Sequence, residues 1–298
     1  MKTMHSIAIL IVITFCFGHT AESQLKKRVA VSRFEDRSGG GYSHLGEGIS
    51  DMLATALVKS GKFIVVERQD LEKILQEQKL GESGLVTEQS APKVGKLLGV
   101  DLLVIGSISE FGTSQREIGA NVPLFGGSIT QKNARAAIDL RLINTTTGEI
   151  IAAEKEEGSE STTGLSGQYD NIDFRNISDW NNTDAGKAAR EAVDNCVELI
   201  ADNFEKIPWT GRILKVNADG SVLLKPGSQG NVKEGMEFEV YQEGEDIIDP
   251  DTGNSMGHEE TKIGSIKVTE DMLSGKAAKA KVLAGSGIKA GDVVKEKK

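Results

Sequence analysis

In GYSHLGEG, residues 41–48, Gly41 and Gly46 stand at the separation that closes a phosphate-binding loop, after one expected strand and ahead of an expected helix. That chemistry needs a lysine to neutralise phosphate and a hydroxyl to hold magnesium, and the sequence has Glu47 and Gly48 in those places. The stretch therefore reads as a flexible turn. The four histidines are His5, His19, His44 and His258, and the first two lie in the leader discussed below. Two scattered imidazoles without carboxylates at ligand spacing do not make a zinc site. DPDTGN, residues 249–254, has the acidic look of a calcium loop. It lacks the later glycine and the bidentate glutamate of the twelve-residue pattern, so it reads as a hairpin turn. Cys196, at helical spacing between Val193 and Val197, reads as a small buried hydrophobe. The Asn-x-Ser/Thr triplets at Asn144, Asn176 and Asn181 read as turn chemistry or chance. No Gly-x-Ser-x-Gly elbow occurs, and no carboxylate pair stands out from the acidic background. The expectation is a protein that is not an enzyme, with no catalytic residue, metal or cofactor.

The elements around these residues alternate strand and helix. VAVSRF has the apolar run of a buried strand. Ile49, Met52, Leu53, Ala56 and Leu57 recur at helical spacing up to Lys59, with Ser60-Gly61 as the stop. Phe63–Val66 is a second strand, and Leu71, Ile74 and Leu75 mark one face of the next helix, whose first turn holds Gln69 and Asp70. APKVGKLLGV repeats the device, with Pro92 at a helix start and Gly99 at its end, before the strand DLLVIGSISEF. AAIDLRLINTTTGEIIAAEKEEG reads as a β-hairpin about NTTTGE, and Ala185–Phe204 as a long helix. After KIPWTG, residues 206–211, the texture changes to short strands: RILKV, SVLLK, MEFEVYQ, IGSIKVT, KAAKAKVL and DVVKE. Two of them follow similar phrases, NVKEGM and GIKAGD, in which Gly235 and Gly291 make tight turns. The expected fold is α/β (α+β), a mixed sheet with packed helices over residues 24–207, followed by a small all-β barrel over residues 208–298.

Lys2 and a short apolar run from Ile7 to Gly18 read as a secretory signal over residues 1–23, with Ala21 and Ser23 as the small residues before a cut at Gln24. Phe15 sits where lipid attachment at Cys16 would need a small residue, so a lipid anchor is not expected. Cleavage leaves Cys196 as the single cysteine, and with it no internal disulfide. A formal net charge of −9 repels phosphate backbones and argues against a nucleic-acid partner.

RVAVSRFEDRS, LATALVKSGKFIVVERQDLEKILQEQ, LLGVDLLVIGSISEF and IDLRLINTTTGEI follow one another as in the CsgG family of curli assembly and transport components, and the resemblance covers about residues 28–206. The phrases VKEGMEFEVY, DIIDPDTG and GIKAGDVV also resemble the closing domain of the flagellar assembly protein FlgT. The CsgG resemblance implies a non-enzymatic envelope component at the periplasmic face of the outer membrane. It would self-associate into a ring, act with other envelope or secretion proteins and pass an unfolded exported polypeptide. It implies further that Gly112–Ala136 and Lys155–Thr183 are hairpins of a shared transmembrane barrel, and that Tyr42 is the counterpart of a constriction-loop residue. A spanning strand needs roughly nine to eleven residues with an apolar lipid-facing alternation. EKEEGSESTTGLSGQYDNIDFRNISDWNN is almost wholly polar. A soluble periplasmic scaffold or regulator without a pore, of the flagellar-accessory or cell-wall-synthase-activator type, is the alternative reading.

Overall fold

The computed structural model describes residues 24–77, 97–117, 129–165, 182–248 and 255–297, together with Pro250. The expected leader, the Pro92 helix start, Asn176, Asn181 and the DPDTGN turn apart from Pro250 lie outside the described residues.

Strand β1 (Lys27–Val31) runs parallel to β3 (Phe63–Val66) on one side and β4 (Leu102–Glu117) on the other. β4 continues antiparallel to β5 (Ile129–Asn144) and β5 to β6 (Ile150–Leu165), giving the order β3-β1-β4-β5-β6, with β2 (Glu35–Asp36) beside β4. Alternation along the strands assigns the faces. Val29, Val31, Leu102 and Val104 join the large core under helices α1 (Leu45–Ser60) and α3 (Asp184–Phe204). Ala30 and Leu103 join the smaller core with Leu71 of α2 (Arg68–Glu77) and Leu98. A strand pair buried on both faces needs the continuous apolar runs seen here.

Helix α1 starts four residues before the expected Ile49. Leu45 is buried, His44 adopts a left-handed conformation, and a Cβ on Gly46 would lie 2.0 Å from the Phe34 carbonyl oxygen. The turn after the first strand is correspondingly shorter than the sequence suggests. At the other end Gly61, left-handed at φ 69°, donates its N–H to the Val58 carbonyl oxygen. The sharp corner from β3 into α2 is held from outside by Arg68, which pairs with Glu47 at 3.1 Å and Asp51 at 2.8 Å on α1 and with Glu72 at 3.4 Å.

Helix α3 lies unusually close to the sheet. Its buried stripe includes Ala185, Ala188, Ala189 and Ala192, and Gly158 of β6 lies beneath it. A Cβ on Gly158 would stand 2.0 Å from the Ala188 carbonyl oxygen and 2.6 Å from the Ala192 nitrogen. Thr183 caps the helix start by accepting from the Gly186 N–H at 3.0 Å. At the far end the buried Lys27 ammonium donates to the Phe204 carbonyl oxygen and lies 4.9 Å from the Phe204 ring, placing a cation at the negative end of the helix dipole.

The second unit is a closed barrel in the order β10-β11-β8-β7-β12-β9. Its strands are β7 (Thr210–Val216), β8 (Val222–Lys225), β9 (Glu237–Ile248), β10 (Ser255–Met272), β11 (Ala277–Gly285) and β12 (Val293–Glu296). Ile213, Val222, Leu224, Phe238, Val240 and Ile266 fill it, and Trp209 stacks on Phe238 with centroids 5.0 Å apart. Gly235 and Gly291, at φ 89° and 97°, make the turns that the repeated phrases suggest.

Asp101, 8% exposed, ties sheet and barrel together. Its carboxylate accepts from the Arg28 backbone N–H at 2.7 Å and from the Thr210 hydroxyl at 2.7 Å. Burial raises its pKa above the ordinary carboxylate value, opposed by those two hydrogen bonds and by Arg28 and Lys27.

Gly158→Val should lift α3 from β6 and lower stability by about 1–3 kcal/mol, the usual cost of overpacking, measured by urea unfolding. Thr163→Ser, at an exposed position of the same strand, is the control and should leave the unfolding midpoint nearly unchanged. Asp101→Ala strands the Arg28 N–H and the Thr210 hydroxyl and should cost about 1–3 kcal/mol, whereas Asp101→Asn can accept from the first and donate to the second and should cost less. Because the folded pKa of Asp101 is raised, its contribution grows on acidification. The stability of the native chain relative to Asp101→Asn should rise as pH falls through the folded pKa and level off below the ordinary value of 3.8, read from unfolding curves at successive pH.

Candidate assembly surface

Three strands of 16 residues each, β4, β5 and β6, carry the segments that the family resemblance singles out. In the first segment the described residues 112–117 and 129–136 simply continue β4 and β5, paired in register from Gly112 with Arg135 to Glu117 with Thr130. Thr113, Ser114, Gln115 and Arg116 are exposed, so both faces of this part of β4 are polar and meet water. Of the second segment, residues 155–165 belong to β6, paired with β5 throughout and covered on one face by α3. The cover is polar as well as close-packed. Lys187 pairs with Glu160 at 2.9 Å, Thr162 donates to Asp184, and Glu191 accepts from the Ser159 backbone N–H at 2.7 Å. Asn195 donates to the Glu157 carbonyl oxygen at 3.0 Å. Glu191 and Asn195 thereby occupy main-chain groups on the outer edge of β6.

The uncovered face of the same strands bears an ionic ladder. Lys155 lies 2.8 Å from both Glu110 and Glu157, and Arg135 lies 3.1 Å from Glu157 and 3.9 Å from Glu110. Two cations and two carboxylates alternate across three strands, which makes this patch neutral on an acidic chain. Hydrogen bonds that Lys155 donates to Glu110, then to Glu157, hold it protonated well above the ordinary lysine value, and Lys155 in turn lowers the pKa of Glu157. Exposed pairs of this kind are screened by salt and add little to stability; they set which charges a partner meets.

Tyr42 is half-buried, packed edge-on against Phe111 with centroids 5.2 Å apart. Its hydroxyl would stand 3.5 Å from a Cβ on Gly112. The structure thus brings Tyr42 to the point on β4 where the first segment begins. His44 lies 3.3 Å from Glu47, and Glu47 is also held by Arg68, so the place of the missing phosphate-loop lysine is filled by an ion-paired acid in the first turn of α1. Cys196 is fully buried, and burial pushes its thiol pKa up, which suits the reading as a core hydrophobe. Asn144 accepts from the Thr146 N–H in the hairpin turn. Among the described residues no three His, Cys, Asp or Glu side chains are grouped to hold a metal ion, and no helix is long and apolar enough to cross a membrane.

Sequence reasoning missed Asp101, the Glu110–Arg135–Lys155–Glu157 ladder and the edge-binding pair Glu191 and Asn195. The alternation Lys155-Glu156-Glu157 on a polar strand was the available signal for the ladder. Nothing local marks the other three, because each acts on a main-chain group distant in sequence.

The family model of the curli production assembly/transport component CsgG matches residues 14–223. The curli production assembly/transport components CsgG of Salmonella typhimurium and of Escherichia coli K12 are each 34% identical to the chain over 108 residues, which is 34% of this chain and 39% of theirs. The chain thus spans about two fifths of the length of these curated relatives. Among solved structures, the LpoB C-terminal domain from Salmonella enterica aligns with 45% of this chain and 83% of its own at a TM-score of 0.33 and 21% identity. The family match runs through the whole α/β sheet unit and into the second barrel strand, and on that match the chain belongs to the CsgG family.

Proposed function

We propose that this chain is a non-enzymatic envelope protein that acts as an oligomer at the outer membrane in the secretion or assembly of curli-like surface structures. The family match over residues 14–223 carries the reading. The long β4–β5–β6 sheet, with a neutral charge ladder on an acidic chain, supplies a face on which like subunits meet without net repulsion. Its partners are further copies of itself, other envelope or secretion proteins and an unfolded exported polypeptide. Residues 24–207 and 208–298 serve as the two folded domains, and the leader over residues 1–23 directs export to the periplasm. Tyr42 is the residue of the first loop that faces the passage once subunits assemble.

A second reading, a periplasmic scaffold or regulator that forms no pore, is favoured by one observation. Residues 155–165 are committed to pairing with β5 and to the underside of α3, with charged side chains on the free face. A charged residue facing lipid at mid-bilayer costs about 2–4 kcal/mol for Arg or Lys.

Fractionation of the envelope followed by electron microscopy and conductance in planar bilayers separates the two. A ring that leaves the membrane only with detergent and conducts ions is the expected result for the first reading. A species recovered wholly without detergent, with no central lumen and no conductance, would sink the pore and leave the scaffold.

A further inference from the structure

The barrel carries two surfaces of complementary charge, a ribbon that leaves it and a stretch of its wall. β12 pairs with β9 only over Phe238–Tyr241, and β11 pairs with β10 only from Gly264 onward. Beyond those points the rest of β9 and β10 pair, among the described residues, only with each other, as a two-stranded ribbon leaving the barrel. Its end exposes Ile247 and Ile248, at 52% and 51%, and exposed Glu245 and Glu259 lie between that end and the braced base. The base of the ribbon is braced rather than loose: Arg212 of β7 holds Glu243 at 2.9 Å and Lys295 of β12 holds Glu260. Those two cations offset the direct opposition of Glu243 and Glu260 across the ribbon. An isolated two-stranded ribbon is marginal in water, so a braced one with an apolar tip needs something to cover that tip.

A stretch of the barrel wall has the complementary make-up. Lys215 of β7, Leu223 of β8 and Lys279 of β11 stand directly opposite one another across the strands, and Lys281 follows on the same face of β11. Lys279 also reaches Asp219 at 3.4 Å and stands opposite Glu270 of β10, which leaves Lys215 and Lys281 as the cations that the docked acidic ribbon would meet. Leu214 and Leu283, 41% and 48% exposed, lie at register shifts beside this row. In the ring of strands β7 stands opposite β10 and β8 opposite β9. The ribbon and the wall are distinct surfaces of one barrel, joined where β10 pairs with β11.

We infer that the barrel is a self-association module, in which the β9–β10 ribbon of one copy docks on the β7–β8–β11 wall of a second copy of this chain. The two surfaces are different parts of the barrel, so one contact leaves a ribbon free on one copy and a wall free on the other, available to further copies. The inference rests on the oligomeric part of the proposed function and extends it to a region beyond the family match, which ends at residue 223.

Sedimentation velocity of the full-length chain, over a range of concentration and salt, tests it. Association of the native chain should weaken as salt rises. Either charge-reversed pair, Lys215→Glu with Lys281→Glu or Glu245→Lys with Glu259→Lys, should weaken association by about tenfold or more, because like charges then face each other. A chain carrying all four changes, and an equal mixture of the two pair variants, should regain it. Undiminished association in either pair variant overturns the inference, as does loss without recovery in both the fourfold variant and the mixture. Rings that persist in both pair variants remove the barrel contact but leave the envelope-assembly reading; a native chain that stays monomeric at every concentration removes both.

Discussion

One buried carboxylate sets the relation between the two halves of this protein. Asp101 stands at the entry of the strand from which the whole antiparallel half of the sheet extends. It is bound at once to β1 through the Arg28 N–H and to the first barrel strand through Thr210. A buried carboxylate is costly unless its lone pairs are filled, and filling these needs both units in place. The same corner draws in Lys27, whose ammonium closes the C-terminus of α3, and the Asp101 carbonyl, which accepts from the Thr145 N–H after β5. Sheet, lid helix and barrel therefore share one polar joint, and the placement of every surface outside it follows from that joint.

From the joint outward the construction relies on close approach. Gly158 and the alanines of α3 let a helix backbone rest almost directly on a strand. That contact holds residues 154–164, which carry no apolar side chain, in a strand and leaves its other face to carry charge. The result is a flat ionic surface on rigid strands, which suits recognition between folded subunits better than contact with hydrocarbon. The barrel adds a second kind of surface, in which exposed Leu214, Leu283, Ile247 and Ile248 stand among charged side chains.

Most of the architecture was legible in the chain because it rests on local signals. Gly61 and Gly99 end helices, Gly235 and Gly291 turn into strands, and the alternation of Val29, Ala30 and Val31 already states that β1 is covered on both sides. Where the reading fell short, the deciding contacts are distant. Helix α1 begins early because Leu45 and Gly46 pack on Phe34, and β4 and β6 run to Glu117 and Leu165 because partners and α3 hold polar residues extended. The bond between Thr210 and Asp101 spans 109 residues, a separation over which no pattern in the sequence can be read. The site was harder still. Tyr42 could be placed by resemblance, but the ladder exists only when Glu110, Arg135, Lys155 and Glu157 are aligned on three strands.

The occupied edge of β6 bears on how such a protein coexists with its surroundings. A sheet edge with vacant main-chain donors and acceptors invites pairing with another extended chain. At Glu157 and Ser159 those groups are already engaged by Asn195 and Glu191, so at these two positions the edge is closed to annealing by another strand.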